Sequence, residues 1–254
     1  DIGNPPDARE STSGIINLTY YWSLKKAAEL EDALGEDILA MRYRQFAAKT
    51  GAAIIEKFWN EKRALFADDL AHEHFSEHSQ CLAILSGLVE GEKARTVFGQ
   101  MLKADDLHRT TVYFRHYLFE TMKLMDRGDL IIEGFGFWHD LAAQGFKTTV
   151  EMPEPSRSDC HAWGAHPMYH MHASLLGIRP ASVGFKTVTI QPSPGKLPVI
   201  QAETPHPAGF ISTDLSFAGT NCRGTLTLPA DVTGEFIWQG TRVALKPGSN
   251  AIEL

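Results

Sequence analysis

The side chains best suited to chemistry lie in one stretch, Thr148-Thr149-Val150-Glu151 followed by Ser156-Arg157-Ser158-Asp159-Cys160-His161-Ala162-Trp163-Gly164-Ala165-His166-Pro167. A single acid precedes a cluster of His and Trp, at a point where helical sequence resumes. A carboxylate can move a proton, an indole can cover the apolar face of a pyranose, and an imidazole can bond its hydroxyls. Cleavage of a glycosidic bond calls on that mixture. Glu151 is the candidate proton carrier; its plainer reading is a solvated loop acid close to Glu154. His161 reads either as a sugar contact or as a histidine capping the helix that follows. Trp138 and Trp163 are candidates for stacking on a ring, although tryptophan on a helix is ordinarily core. Glu77 and His78 are further candidates to face a substrate cleft.

Metal chemistry has weaker support. His72, His74 and His78 form one cluster and His166, His170 and His172 another, each with a pair four residues apart that could share a helical face. There is no H-E-x-x-H, and the first cluster straddles a loop and a helix start, so no metal and no cofactor are expected. Cys81, Cys160 and Cys222 are far apart and odd in number, which points to buried free thiols rather than to disulfides or a zinc ribbon. No G-x-S-x-G, phosphate-binding loop or dinucleotide glycine fingerprint occurs.

The elements that must position these residues fall into two textures. Apolar spacings of three and four predict helices over residues 14–34, capped by Ser13 and stopped by Gly35, and over 36–59, with a stripe that includes Ile38, Met41, Phe46, Ile54 and Phe58. Further helices are expected over 77–89, behind Ser76, and over 92–103, 110–126, 128–143 and 160–176, about seven in all. They come as pairs with short polar connections, the pattern of stacked helical hairpins in a solenoid or a closed toroid. After Gly177-Ile178-Arg179-Pro180 the texture turns to short alternating runs, 185–190, 209–215, 223–228, 234–238 and 241–245, broken by Pro and Gly turns. These predict a small antiparallel β-sandwich. A boundary near residue 180 therefore separates a helical domain, 1–180, from a sheet domain, 181–254. Phe185, Val188, Ile190 and Trp238 are expected to seat the sandwich on the helices, giving it a stabilising role.

The chain has 254 residues, a formal net charge of -7 and ordinary apolar and charged fractions. With no basic block, the charge argues against nucleic acid as a partner. No apolar run approaches the roughly 20 residues of a membrane-spanning helix, so no membrane partner is expected and a soluble protein is. The opening Asp1-Ile2-Gly3-Asn4-Pro5-Pro6 carries no targeting signal, so the compartment is left unknown.

Taken together, the helical hairpins, the T-T-x-E stretch, the S-x-x-x-C-H-A-W-x-A-H-P segment, the L-L-G-I-x-P helix exit and the G-F-x-x-V-x-I-x-P strand resemble bacterial α-L-rhamnosidases of glycoside hydrolase family 78. The resemblance implies a multidomain α and β protein: the C-terminal part of an (α/α)6 toroid followed by a β-sandwich. It implies inverting hydrolysis of terminal α-L-rhamnosyl bonds by a general acid and a general base. The family's base follows T-T-x-W-E; here the Trp is missing and Glu151 is the matching acid. His161 matches the family's sugar-contacting histidine, and Trp163 falls where an aromatic is common. The family's general acid lies in a stretch resembling D-x-x-x-R-x-E-R-x-G-W-x-x-D. Nothing before Val150 matches it, Asp7-Ala8-Arg9-Glu10 being too short. The chain is therefore expected to be a C-terminal fragment, inactive alone, whose partners are the N-terminal remainder of its own protein and a rhamnose-containing glycan or glycoside. An open hairpin edge should expose apolar surface. Competing readings are another toroid enzyme acting on glycans (a different glycosidase or a polysaccharide lyase) or a non-catalytic carbohydrate-binding module.

Overall fold

The computed structural model describes residues 12–254, so Asp7-Ala8-Arg9-Glu10 lies outside the described residues. They fall into two compact units. One comprises 12–121 with 150–164, the other 122–149 with 165–254.

The helical unit opens with α1, Gly14–Leu34, whose N-cap Ser13 accepts the Ile16 N–H at 3.3 Å. Gly35 ends it in the left-handed conformation (φ 79°), which a side chain would disfavour, and its N–H closes on the Asp32 carbonyl. Helix α2, Asp37–Phe58, packs on α1 through Ala40, Ala47, Gly51, Ile54 and Phe58. The expected stripe is corrected here. Small residues let the backbones close, and the bulky Ile38, Met41 and Phe46 lie on the other side, 78%, 53% and 41% exposed. Leu30 and Leu34 of α1 are exposed as well, so this hairpin does present apolar surface.

A short ribbon, β1 (Trp59–Asn60) with β2 (Leu65–Phe66), leads to α3, Glu77–Leu85. Ser76 caps α3, which stops at Ser86, earlier than the expected 89. Helix α4 is Gly91–Lys103. Helix α5, Arg115–Leu124, starts five residues later than its expected start at 110, because Thr110 is drawn off by the Glu77 carboxylate.

In the second unit the expected helix 128–143 divides at Phe135 into α6 (Gly128–Gly134) and α7 (Gly136–Ala143). The expected helix 160–176 is a 3-10 turn (Ala162–Ala165), α8 (His166–His170) and a π turn (Met171–Leu175). Pro167 sits in the first turn of α8, where it needs no intrahelical donor.

The strands are β3 (Ile178–Pro180), β4 (Thr187–Ile190), β5 (Val199–His206), β6 (Gly209–Ala218), β7 (Asn221–Leu228), β8 (Thr233–Trp238), β9 (Thr241–Leu245) and β10 (Gly248–Glu253). They form two four-stranded sheets, β10-β7-β6-β5 and β3-β4-β8-β9. Neighbours are antiparallel except β4 and β8, which run parallel in register Val188↔Gly234 and Ile190↔Phe236. Val188, Ile190, Ile211, Leu215, Leu226 and Phe236 are fully buried in one shared core, with Trp238 beside them. Val188, Ile190 and Trp238 thus belong to the sandwich interior, because alternation turns that face of each strand inward. Phe185 packs on its edge.

Cys81 and Cys222 are buried, and burial pushes their thiols up to about 12 and about 11. Cys160 is exposed, against the expectation of a buried thiol. Among the described residues no helix is long and apolar enough to cross a membrane.

Candidate active site

The candidate base sits on the 150–164 segment, which folds back on itself. Val150 is fully buried, and the Glu151 N–H donates to the Ser158 carbonyl at 2.9 Å. The same carbonyl accepts the Ser156 hydroxyl at 2.8 Å, which ties the loop's two limbs together. From the far end, the Trp163 indole N–H donates to the Glu151 carbonyl at 3.1 Å. Backbone and indole therefore fix this residue before its carboxylate makes any contact.

Glu151 is 5% exposed, so it is not a solvated loop acid. Its Oε1 accepts from the guanidinium of Arg157, whose own side chain is 75% exposed. A buried carboxylate is costly unless paired, and a partner that projects into solvent can supply the pairing without being locked in place. Oε2 accepts from no protein group among the described residues. One oxygen is held by a mostly exposed cation and the other has no protein partner among the described residues.

Aromatic rings extend outward from this acid. Trp163, 40% exposed, lies 4.4 Å from the His161 ring and 5.2 Å from Tyr113. Tyr113 meets Tyr117 at 5.9 Å, their hydroxyl oxygens 3.4 Å apart. Tyr117 also contacts Trp22 at 6.1 Å and Phe114 at 4.7 Å, and Phe114 lies 4.2 Å from His78. Burial, with the Tyr113 hydroxyl beside it, pushes the Tyr117 phenol up to about 12, so it stays a neutral donor. The structure thus brings Glu151, His161 and Trp163 together and joins them to His78 through a chain of rings. Trp138 belongs to the other unit, edge-on to His166 at 5.1 Å and to Phe137 at 5.1 Å.

Glu77 and His78 are placed differently from the expectation that they face a cleft. Glu77 accepts from the Thr110 N–H at 2.7 Å and hydroxyl at 2.9 Å, and from Arg109 at 3.0 Å. These bonds pin the irregular segment ahead of α5, and Tyr113 with it. His78 is 1% exposed, and neither ring nitrogen has a hydrogen-bond partner. Burial, reinforced by His108 at 6.0 Å, pulls it down to about 4, so it is neutral at ordinary pH. Behind it, Asp68 accepts from the Ser76 and Ser79 hydroxyls, and burial pushes this acid up to about 6.

The first histidine cluster is dispersed: His72 bonds the Lys57 carbonyl at 2.9 Å, His74 pairs with Asp69, and His78 is enclosed. In the second cluster His170 bonds the Ser174 hydroxyl at 2.9 Å and His172 the Thr204 hydroxyl at 2.8 Å.

Sequence reasoning did not single out Arg157, Tyr113, Tyr117 or Trp22. The four-residue spacing of Tyr113 and Tyr117 was a usable signal, but it reads equally as helix core. Arg157 gave none, since its partner lies across a loop of no regular period.

Two family models match the chain: the bacterial alpha-L-rhamnosidase 6 hairpin glycosidase domain over residues 1–115 and the bacterial alpha-L-rhamnosidase C-terminal domain over 177–252. No curated protein matches it. Among solved structures it is similar to a family 78 rhamnosidase of Bacillus sp. GL1, with TM-score 0.78 and 22% identity over 89% of this chain and 26% of that one. It is also similar to the α-L-rhamnosidase of Dictyoglomus thermophilum, with TM-score 0.74 and 16% identity over 93% of this chain and 31% of that one. The α-L-rhamnosidase of Streptomyces avermitilis, solved in complex with L-rhamnose, gives TM-score 0.69 and 18% identity over 92% of this chain and 26% of that one. At these identities the likeness establishes the fold. The chain spans about a quarter to a third of the length of these structures.

Proposed function

Because the chain belongs to the bacterial α-L-rhamnosidase family, we propose that it supplies the general-base side of an inverting glycosidase that removes terminal α-L-rhamnosyl residues. The supporting observation is Glu151: buried, held through its backbone carbonyl by the Trp163 indole, with one carboxylate oxygen that has no protein partner among the described residues. In this reading Oε2 holds the attacking water and takes its proton as the water's oxygen bonds the anomeric carbon. The leaving oxygen is protonated by a general acid from a part of the protein outside these 254 residues. Inversion places the two carboxyl groups roughly 6.5–9.5 Å apart, enough for the water between them. Arg157 pairs with the carboxylate before sugar binds and swings away when sugar enters.

Trp163 and His161 contact the rhamnosyl ring, and Trp138 is proposed as a further stacking residue. Glu77 and His78 act one layer behind, Glu77 by fixing the segment that carries Tyr113 and His78 by backing Phe114. Residues 1–180 are taken as the partial catalytic domain and 181–254 as the sandwich. On this reading the chain alone is inactive.

The test uses the whole protein and an aryl α-L-rhamnoside. Glu151→Gln keeps the size and the Arg157 acceptor but removes the base, and kcat should fall by roughly 10²–10⁴-fold. Turnover within a factor of two of the unaltered enzyme would sink the assignment.

A further inference from the structure

The sheet unit contains a cleft that the proposed chemistry does not use. Its volume is about 520 Å³, within the range of small-molecule sites. Asp126, Gln191, Lys196 and Gln239 present polar groups around it, and Trp238 forms part of its wall. The floor is built by close backbone approach. A side chain at Gly128 would bring its Cβ to 1.8 Å from the Ser193 carbonyl, so only glycine fits there. The Ser193 hydroxyl accepts the Gly128 N–H at 3.2 Å and donates to Asp126 Oδ1 at 2.7 Å. That leaves Asp126 Oδ2 with no protein partner among the described residues. The Gln191, Lys196 and Gln239 side chains likewise make no hydrogen bond among the described residues. Trp238 is fixed, its N–H on the Thr220 carbonyl at 2.6 Å and its ring 5.3 Å from Phe217, and it offers the cleft a rigid apolar edge.

Two non-glycine residues at the cleft hold left-handed backbone, Asp126 (φ 55°) and Gln239 (φ 46°). Gln239 with Gly240 makes the two-residue turn between β8 and β9, and Asp126 follows the end of α5, both places where left-handed backbone is ordinary.

The combination of groups selects the ligand. Asp126 and Asp129 against a single lysine rule out an anion as the preferred guest, and Asp129 already has both oxygens bonded by Arg127, at 2.7 and 2.6 Å. One free carboxylate oxygen is too few for a divalent cation, which takes six or more oxygen ligands. Two amides, an ammonium, a carboxylate oxygen and an apolar edge match a neutral polyhydroxylated molecule, whose hydroxyls both donate and accept. We propose that this cleft is a saccharide-binding subsite that takes a neutral mono- or disaccharide. It does not depend on the role assigned to Glu151.

The test is titration of the 254-residue chain with L-rhamnose and with the disaccharide rutinose, followed by calorimetry and by the Trp238 indole N–H signal in nuclear magnetic resonance. The probing variant is Gln191→Ala with Gln239→Gly. Both side chains are exposed, the Gln191 backbone bonds are retained, and glycine accepts the φ of position 239. Saturable binding of either sugar that moves the Trp238 signal, weakens at least tenfold in the double variant and is unchanged in Glu151→Gln is the expected result. Absence of saturable binding, binding unaffected by the double variant, or binding lost in Glu151→Gln and kept in the double variant would each overturn the proposal. A thermal melt matching that of the unaltered chain guards against reading misfolding as lost affinity.

Discussion

The two units differ in what they bury. The sandwich closes over Val188, Ile190, Ile211, Leu215, Leu226 and Phe236, an interior with few polar atoms. The helical unit buries Asp68, Asp69, Glu77, His78, Gln80 and Glu151 while leaving Leu34, Ile38 and Met41 in solvent. A dry interior stabilises by area and packing alone. A wet one needs a partner for each group, and His78 has none for either ring nitrogen. Consistency across levels of structure is usually relaxed at functional sites, and buried carboxylates are concentrated in the helical unit.

The sharpest test of this contrast is Phe236→Ala in the sandwich. It should cost about 3–5 kcal/mol in chemical denaturation, because a fully enclosed ring leaves a cavity that two sheets cannot collapse around. A loss under about 1 kcal/mol would show that the sheet interior is not the dry, rigid core described.

Next in size are the buried titratable groups, whose effects have opposite signs. Asp68 is raised, so its contribution to stability is complete below about 3.8 and is lost as pH rises towards about 6. His78 is lowered, so its contribution is complete above 6.5 and is lost as pH falls towards about 4. In the unaltered chain the two slopes largely cancel between these limits. Asp68→Asn keeps an oxygen for both serine hydroxyls and should unmask His78: stability falling on acidification from 6.5 to about 4 by about 2–3 kcal/mol. His78→Leu should unmask Asp68, with stability falling as pH rises over the same span. Flat profiles in both variants would erase the distinction between the two interiors. At neutral pH His78→Leu should also stabilise the chain by up to about 1 kcal/mol, since two unpaired polar atoms disappear.

The smallest effect belongs to the exposed apolar face. Ile38→Ser, at a position 78% exposed, should change stability by no more than about 0.5 kcal/mol. A loss above about 1 kcal/mol in chemical denaturation would show that this face is packed rather than solvated.

Elements marked by local chemistry are legible in the sequence, and those fixed by distant partners are not. Helix α1 was legible to the residue because Ser13 and Gly35 mark its ends chemically. The start of α5 was not, since it is decided by a carboxylate thirty-three positions away that claims Thr110. Strands β5 and β10 are not legible: β5 carries Pro205 and turns Ala202 and Thr204 inward where larger apolar residues would mark a strand, and β10 is only Gly248–Glu253. The parallel β4–β8 pair could not be read from spacing at all, because register between distant strands leaves no local trace. At the site, Glu151, His161 and Trp163 were readable as types in order. Their mutual fixing was not, because an indole bonding a backbone carbonyl has no sequence period.

That lone parallel pairing also sets an order of events for the folding chain. Strands β4 and β8 are separated by β5, β6 and β7, so they can meet only after a long loop has been closed. The antiparallel meander between them forms through near neighbours and comes first. Completion of the β3-β4-β8-β9 sheet is thus expected to be the slow step of refolding.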